Sequence, residues 1–320
     1  MNKSRRQNRK KKKRSKWKLF RNLAFLLLLL VGAYAVYLYY TAGKILSESY
    51  EDAGREKSDL REKAVDPLED NVSILILGVD ESEKRADLGA YRSDTLIFAT
   101  LNKDTNRVTM LSIPRDSYVY IPKVGYETRI NHAYAHGGTN ATIETVEHLF
   151  EIPVDYYVKV NFEAFIRVVD ALGGITVDVP YELYEQNSKD KADAIHLLPG
   201  KQQLDGEEAL ALARTRKLDN DIERGKRQQE IIKAVVDKAA SLGSVLKYDK
   251  VLKGVGENMK TNMTFSEIKS VIAYGLDSKL HIESLTLEGS DDWSTGAYYY
   301  QLDPTSLEQT KTILKEQLDL

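Results

Sequence analysis

The chain has 320 residues, 42% of them hydrophobic and 29% charged, with seven prolines and no cysteine. That composition excludes a wholly disordered or collagen-like chain, and the missing thiols exclude disulfides, cysteine nucleophiles and zinc–thiolate sites, so any metal must be held by oxygen or imidazole. The net charge of −2 hides an asymmetry: the first 21 residues carry twelve Lys and Arg and no acid, leaving the rest of the chain at −14.

Between Arg21 and Lys44 lie 22 residues without a charge, enough at roughly 1.5 Å per helical residue to cross about 30 Å of hydrocarbon. Trp17 and Phe20 at one end and Tyr34, Tyr37, Tyr39 and Tyr40 toward the other suit interfacial aromatic belts. The basic side stays in the cytoplasm by the positive-inside rule, which predicts a single-pass type II protein of the cell membrane with its acidic remainder outside. A cleaved signal peptide is the competing reading, supported by Ala33-Tyr34-Ala35, but the apolar run is longer than a signal-peptide core and continues past that point. A nucleic-acid-binding arm is disfavoured because a span follows the basic tail at once and the remainder is acidic. We divide the chain into a basic cytoplasmic tail (1–21), a transmembrane helix (22–43), an extracytoplasmic stalk (44–70) and a catalytic domain (71–320).

The stalk is rich in Glu, Lys, Ser and Asp and is expected to be solvated and partly helical. Val72–Gly78, Thr95–Leu101 and Val108–Ser112 are apolar, β-branched runs bounded by turn residues, as strands buried on both faces are. Thr142–Phe150 and Phe162–Leu172 have helical spacing, while Tyr156–Val160 and Ile175–Val179 are strand-like. A polar excursion follows from Tyr181 to Lys201. Asp205–Ala213, Asp221–Leu242, Tyr248–Asn258 and Phe265–Tyr274 read as helices, Ile282–Leu287 and Tyr298–Gln301 as strands, and Pro304–Gln317 as a last helix. The predicted fold is α/β, a three-layer α/β/α domain around a mixed central sheet, preceded by one transmembrane helix.

The chain holds no Gly-x-Ser-x-Gly elbow, Walker loop, His-Glu-x-x-His or Gly-x-Gly-x-x-Gly. His132 and His136 have metal-pair spacing, but the following Gly137-Gly138 argues against a helix there, and hydrogen-bonding loop histidines are the simpler reading. Asp80 follows the first strand and Arg92-Ser93-Asp94 precedes the second. Carboxylates at strand ends suit Mg²⁺, which keeps waters and is completed by substrate phosphates, although turn or cap aspartates read the same way. Ser112-Ile113-Pro114-Arg115-Asp116 projects Arg115 from a strand end, toward an anion or into a surface ion pair. The densest cluster is Arg214, Arg216, Asp219, Asp221, Arg224, Arg227 and Gln228. On a helix Arg224, Arg227 and Gln228 share a face that Ile231 and Val235 continue as apolar, which fits a diphosphate carrying a greasy chain; a solvated helix with Asp–Arg pairs is the alternative.

Leu77-Gly78-Val79-Asp80, Arg92-Ser93-Asp94-Thr95, Ser112-Ile113-Pro114-Arg115-Asp116, Ile130-Asn131-His132-Ala133-Tyr134, Asp155-Tyr156-Tyr157, Asp170-Ala171-Leu172-Gly173-Gly174 and the block from Arg214 to Gln228 resemble, in order, the motifs of the LytR-CpsA-Psr family. The closing Tyr298-Tyr299-Tyr300 is similar to its teichoic-acid transferases from Gram-positive bacteria. The resemblance implies a phosphotransferase that moves an anionic glycopolymer from an undecaprenyl diphosphate carrier to the MurNAc 6-hydroxyl of peptidoglycan. It implies Asp80, Asp94 and Arg115 as catalytic residues, Asp80 and Asp94 as ligands of Mg²⁺ with Mn²⁺ as the other ion, and Arg92, Arg115, Arg214, Arg216, Arg224, Arg227 and Gln228 as the diphosphate-binding set. Arg129 departs from a frequent Lys and Ala213 from a frequent aromatic. The general base is open between Asp80 and Asp94. A membrane-anchored diphosphatase and a non-catalytic wall-polymer binding module are the other function classes; nucleic acid is not an expected partner.

Overall fold

The computed structural model describes residues 3–79, 91–217, 220–241, 254, 256, 258–275 and 280–320. Asp80, Asp219 and most of the expected Tyr248–Asn258 helix lie outside the described residues. Two compact units are formed, 1–44 and 45–320. The first consists of helix α1 (Lys3–Glu48), whose last residues enter the second unit. Its segment from Phe20 to Glu48 is long and apolar enough to cross a membrane, so one helix runs through the expected tail and span and ends beyond residue 43.

A six-stranded mixed sheet centres the second unit. Its strands, in spatial order, are β11 (Met259–Thr261), β6 (Tyr156–Asn161), β1 (Val72–Val79), β2 (Ser93–Asn102), β3 (Arg107–Ser112) and β12 (His281–Thr286). β1 pairs parallel with β6 and antiparallel with β2. β3 pairs antiparallel with β2 and parallel with β12. Strand side chains alternate between faces, and both faces are buried. Leu75, Leu77, Leu96, Phe98 and Leu111 pack one way, against Ile143, Val146 and Phe150 of α2 (His132–Phe150) and Leu314 of α7 (Pro304–Gln317). Ile74, Ile97, Ala99 and Met110 pack the other way, with Leu46, Ile232 of α5 (Asp221–Ala240) and Ile268 of α6 (Phe265–Gly275). Helices therefore cover both faces, as the three-layer reading expects.

A third apolar cluster joins α3 (Phe162–Leu172), α4 (Gly206–Arg214) and α5 to the paired strands β7 (Ile175–Val179) and β10 (Gly200–Leu204). It takes in the small hairpin of β8 (Leu183–Glu185) and β9 (Ile195–Leu197), which the polar excursion in the sequence hides. Two further hairpins, β4 (Tyr118–Ile121) with β5 (Tyr126–Arg129) and β13 (Gly289–Asp292) with β14 (Tyr299–Leu302), flank one end of the sheet.

Residues 45–71 do not form the expected solvated stalk. Leu46, Ala53 and Ser58 are buried, and Tyr50 bridges to Thr261. Arg55 reaches Glu147 at 2.6 Å and Arg61 reaches Asp155 at 2.7 Å. The polar composition that suggested solvation supplies partners to carboxylates of the core instead, a pairing that needs the tertiary fold to be seen. His132 and His136 also differ from expectation, lying on the first turns of α2, whose helix kinks at Gly137 and Gly138 rather than starting after them.

Candidate active site

The sheet topology gathers one set of ends. β1 and β6 finish there, β2, antiparallel to β1, begins there with Asp94, and β3, reversing again, ends there and leads into Arg115. Ligands of open α/β sheets gather outside such carboxyl ends. A cavity of about 640 Å³ opens at this edge. One part of its lining is apolar, with Ile76 and Ile97 from the sheet and Phe165, Leu210, Ile231 and Ile232 from the covering helices. The polar wall carries six arginines, Arg92, Arg115, Arg129, Arg214, Arg216 and Arg224, against the carboxylates of Asp94, Asp116 and Glu185.

Local chemistry places each of these side chains. Ile113-Pro114 turns the chain after β3, with the Ser117 N–H donating to the Pro114 carbonyl at 3.0 Å, and Arg115 then donates to Asp94. α4 starts at a capping box of Asp205 and Glu208 and stops at Arg214, because Thr215 is extended; this sends Arg214 and Arg216 along the cavity rim. Arg214 lies 4.7 Å over the Phe162 ring. α5 is capped by Asn220, which fixes its first turns. A Cβ at Gly225 would collide with the Ser112 hydroxyl, so glycine lets α5 approach the end of β3 closely enough to bring Arg224 beside Arg115.

Electrostatics make this wall one unit. Asp116 lies 3.5 Å from Arg115, 3.7 Å from Arg129 and 3.8 Å from Arg216. Asp221 lies 3.3 Å from Arg216 and 3.4 Å from Arg224. Burial, reinforced by Asp221, raises the Asp116 carboxyl above its ordinary pKa despite Arg115, Arg129 and Arg216. Burial brings Arg224 down to about 10; Asp221 opposes this, while Arg115 and Arg216 add to it. Burial acts in the same direction on Arg115, but Asp94, Asp116 and Asp221 outweigh it and raise its pKa. Both arginines remain cations at neutral pH, and their Nε atoms are buried without a hydrogen-bond partner. Fork-shaped cations lining a cavity match the oxygens of a phosphate or diphosphate.

The structure thus brings Arg92, Asp94, Arg115, Arg214, Arg216, Arg224 and Gln228 of the sequence-derived set to one wall. Arg227 is not among the residues that line the cavity. Its guanidinium is buried outside the cavity, donating to the carbonyls of Leu212 at 3.2 Å and Thr215 at 2.6 Å. It shares the expected helical spacing, but it turns toward the end of α4 and holds the segment that carries Arg214 and Arg216. Asp116 and Arg129 were not assigned roles from sequence; both sit in motifs already singled out, and only the fold shows that they meet. Among the described residues no group of three or more His, Cys, Asp or Glu side chains is placed to hold a metal. A magnesium ion taking one or two carboxylates and completing its shell with substrate phosphates is still compatible with Asp94 beside the arginines.

Fold and site together define an α/β protein with a cavity that joins an arginine-lined wall to an apolar one. The chain belongs to the LytR_cpsA_psr family, which it matches over residues 36–316. It is 38% identical over 314 residues to the polyisoprenyl-teichoic acid–peptidoglycan teichoic acid transferase TagT of Bacillus subtilis (strain 168), covering 97% of both chains. The solved structure of TagT bound to LIIa-WTA is similar with a TM-score of 0.72 at 38% identity, over 84% of this chain and 98% of that one. A structure of the LytR-CPS2A-psr family protein YwtF (TagT) with bound octaprenyl pyrophosphate lipid is similar with a TM-score of 0.68 at 36% identity, over 83% and 98% of the two chains.

Proposed function

We propose that the protein is an extracytoplasmic, membrane-anchored phosphotransferase that moves an anionic glycopolymer from an undecaprenyl diphosphate carrier to the MurNAc 6-hydroxyl of peptidoglycan. The observation that carries this reading is the junction of six arginines with an apolar wall in one cavity: diphosphate oxygens meet the guanidinium forks while the polyprenyl chain lies inward. A relative similar in fold and named for a bound octaprenyl pyrophosphate lipid supports the carrier half, and a relative named as a teichoic acid transferase supports the polymer half.

The acceptor hydroxyl oxygen bonds to the phosphorus bearing the glycopolymer. The bond from that phosphorus to the bridging oxygen breaks, and polyprenyl phosphate leaves with the electron pair. The hydroxyl proton passes to a carboxylate, Asp94 or Asp80. Phosphoryl transfer asks mainly for positioning and charge neutralisation, which Arg115, Arg214, Arg216 and Arg224 supply. Mg²⁺, or Mn²⁺ in its place, held by Asp94 and Asp80, would add charge neutralisation at the phosphate oxygens.

The test is to incubate the full-length protein in detergent with lipid-linked glycopolymer, nascent peptidoglycan and Mg²⁺ and to analyse the products. A phosphodiester-linked polymer on the glycan is expected. Release of free glycopolymer phosphate at the same rate with or without peptidoglycan would instead identify a diphosphatase and overturn the transfer reading.

A further inference from the structure

The β13–β14 hairpin presents an aromatic pair that the cavity chemistry leaves unused. Trp293, just after β13, is 66% exposed, and its ring lies 5.0 Å from that of Tyr298, just before β14. A single exposed aromatic needs no explanation, but this pair is continuous with the site, since Tyr298 forms part of the cavity wall while Trp293 extends that wall outward onto the surface. Tyr298 is also tied to the arginine cluster. Arg129, 3.7 Å from Asp116, donates to the Tyr298 carbonyl at 2.9 Å. The Tyr300 N–H donates to the Asp116 carbonyl at 2.9 Å, and the Tyr298 hydroxyl donates to Asp291 at 2.9 Å. Polar groups rim the rings: Gln301 donates to Asp292 at 3.0 Å, and Ser294 lies in the same loop.

An aromatic face at the edge of a polar, hydrogen-bonding rim is the environment a pyranose ring matches, with its C–H face on the rings and its hydroxyls and amides to the sides. Position selects which saccharide. A sugar joined directly to a diphosphate held by the arginines would lie at the cavity, whereas Trp293 lies outside the cavity lining, exposed beside Tyr298 to a glycan that comes from solvent. We propose that Trp293 and Tyr298 form a saccharide platform at the cavity mouth, on which an amino-sugar ring of the acceptor glycan strand stacks while a neighbouring hydroxyl reaches the diphosphate. The occupant as acceptor rests on the transferase reading; the platform as a saccharide site does not.

The chain has two tryptophans, Trp17 and Trp293, so fluorescence of the full-length Trp17→Phe protein in detergent reports on Trp293 alone. Titration with an uncharged N-acetylglucosamine hexasaccharide should give a saturable spectral shift. By pelleting with insoluble glycan strands, Trp293→Ala should bind at least about tenfold more weakly, whereas Trp293→Tyr, which keeps a stacking ring, should stay within about threefold of the parent. Farnesyl diphosphate binding should be unchanged in Trp293→Ala and lost in Arg216→Ala, while Arg216→Ala should retain the hexasaccharide shift. Failure of all variants to bind farnesyl diphosphate with the saccharide shift intact would sink the diphosphate reading and leave the platform standing. No saturable shift, equal glycan pelleting by Trp293→Ala, or a shift with lipid-linked saccharide but not with free glycan would overturn the proposal.

Discussion

Arg227 Nη2 donates to the Thr215 carbonyl at 2.6 Å, so the face of α5 that turns away from the cavity grips the chain segment carrying Arg214 and Arg216. Its Nε also donates to the Leu212 carbonyl, and both contacts are buried. Arg227→Ala strands two buried carbonyls and should cost about 2–4 kcal/mol of stability. The melting temperature should fall, and activity should be lost in proportion to the unfolded fraction and to misplacement of Arg214 and Arg216. A thermal melt that matches wild type would show that the latch carries no load.

The cavity arginines should behave in the opposite way. Losing Arg115, Arg216 or Arg224 removes a cation aimed at developing phosphate charge, worth about 2–4 kcal/mol of transition-state stabilisation or roughly 30- to 1000-fold in rate. At Arg224 the ligand-free fold should lose little, because burial, Arg115 and Arg216 already disfavour its charge, whereas Arg115→Ala should also cost some stability by leaving Asp94 and Asp116 without their partner. Arg216→Lys should not rescue, since a point charge lacks the two-pronged fork. Arg107, which is 43% exposed and 3.6 Å from Glu283, is the control, and Arg107→Ala should leave transfer unchanged. Transfer rates measured beside melting temperatures separate the two effects.

Five of the six sheet strands were legible in the sequence because they are short apolar β-branched runs, the three-residue β11 was not, and Pro304–Gln317 was read to the residue because Asp303 caps a proline-led helix. Asp94, Arg115 and Arg216 were legible through motif and spacing. Asp116 was not, since its role comes from Arg129 on β5 and Arg216 after α4, which meet only in the folded chain. Arg227 is set apart for a related reason: the helical stripe has width, and Arg224, Gln228, Ile231 and Ile232 line the cavity while Arg227, on one flank of the stripe, meets the end of α4. Of the hairpin strands, β14 was read, as Tyr298–Gln301, while β4, β5, β8, β9 and β13 escaped because they run to three or four residues, too few for alternation to show. The docking of residues 45–71 escaped because it is made by ion pairs rather than an apolar stripe.

Asp94 tests the metal. On the proposed reaction, Asp94→Asn keeps a side chain that Arg115 can orient but removes the charge that a magnesium ion requires. Turnover by the wild type should fall with chelator and return with added Mg²⁺, and Asp94→Asn should need far more Mg²⁺ to reach its maximum rate. Wild-type turnover that resists chelation would remove the ion from the mechanism.

Asp116 tests how the cluster is balanced. Its carboxyl is raised in the folded state, chiefly by burial, with Asp221 adding and the arginines opposing. A raised acid pKa means that the folded state holds its proton more tightly than the unfolded chain does. The associated stability is therefore fully present below the ordinary value near 3.8 and is lost as pH rises through the higher folded value. Asp116→Asn cannot ionise and has no such loss. Between acid and neutral pH the wild type should shed stability that the variant keeps, so the melting-temperature difference, variant minus wild type, should rise with pH over that window and then level off. Activity should move the other way. Without the Asp116 charge, Arg115, Arg129 and Arg216 lose the carboxylate between them, and transfer should fall by about tenfold or more at neutral pH. A melting-temperature difference that is flat with pH, or that declines toward neutrality, would mean that the three arginines compensate the buried carboxylate in full and hold it ionised in the resting fold.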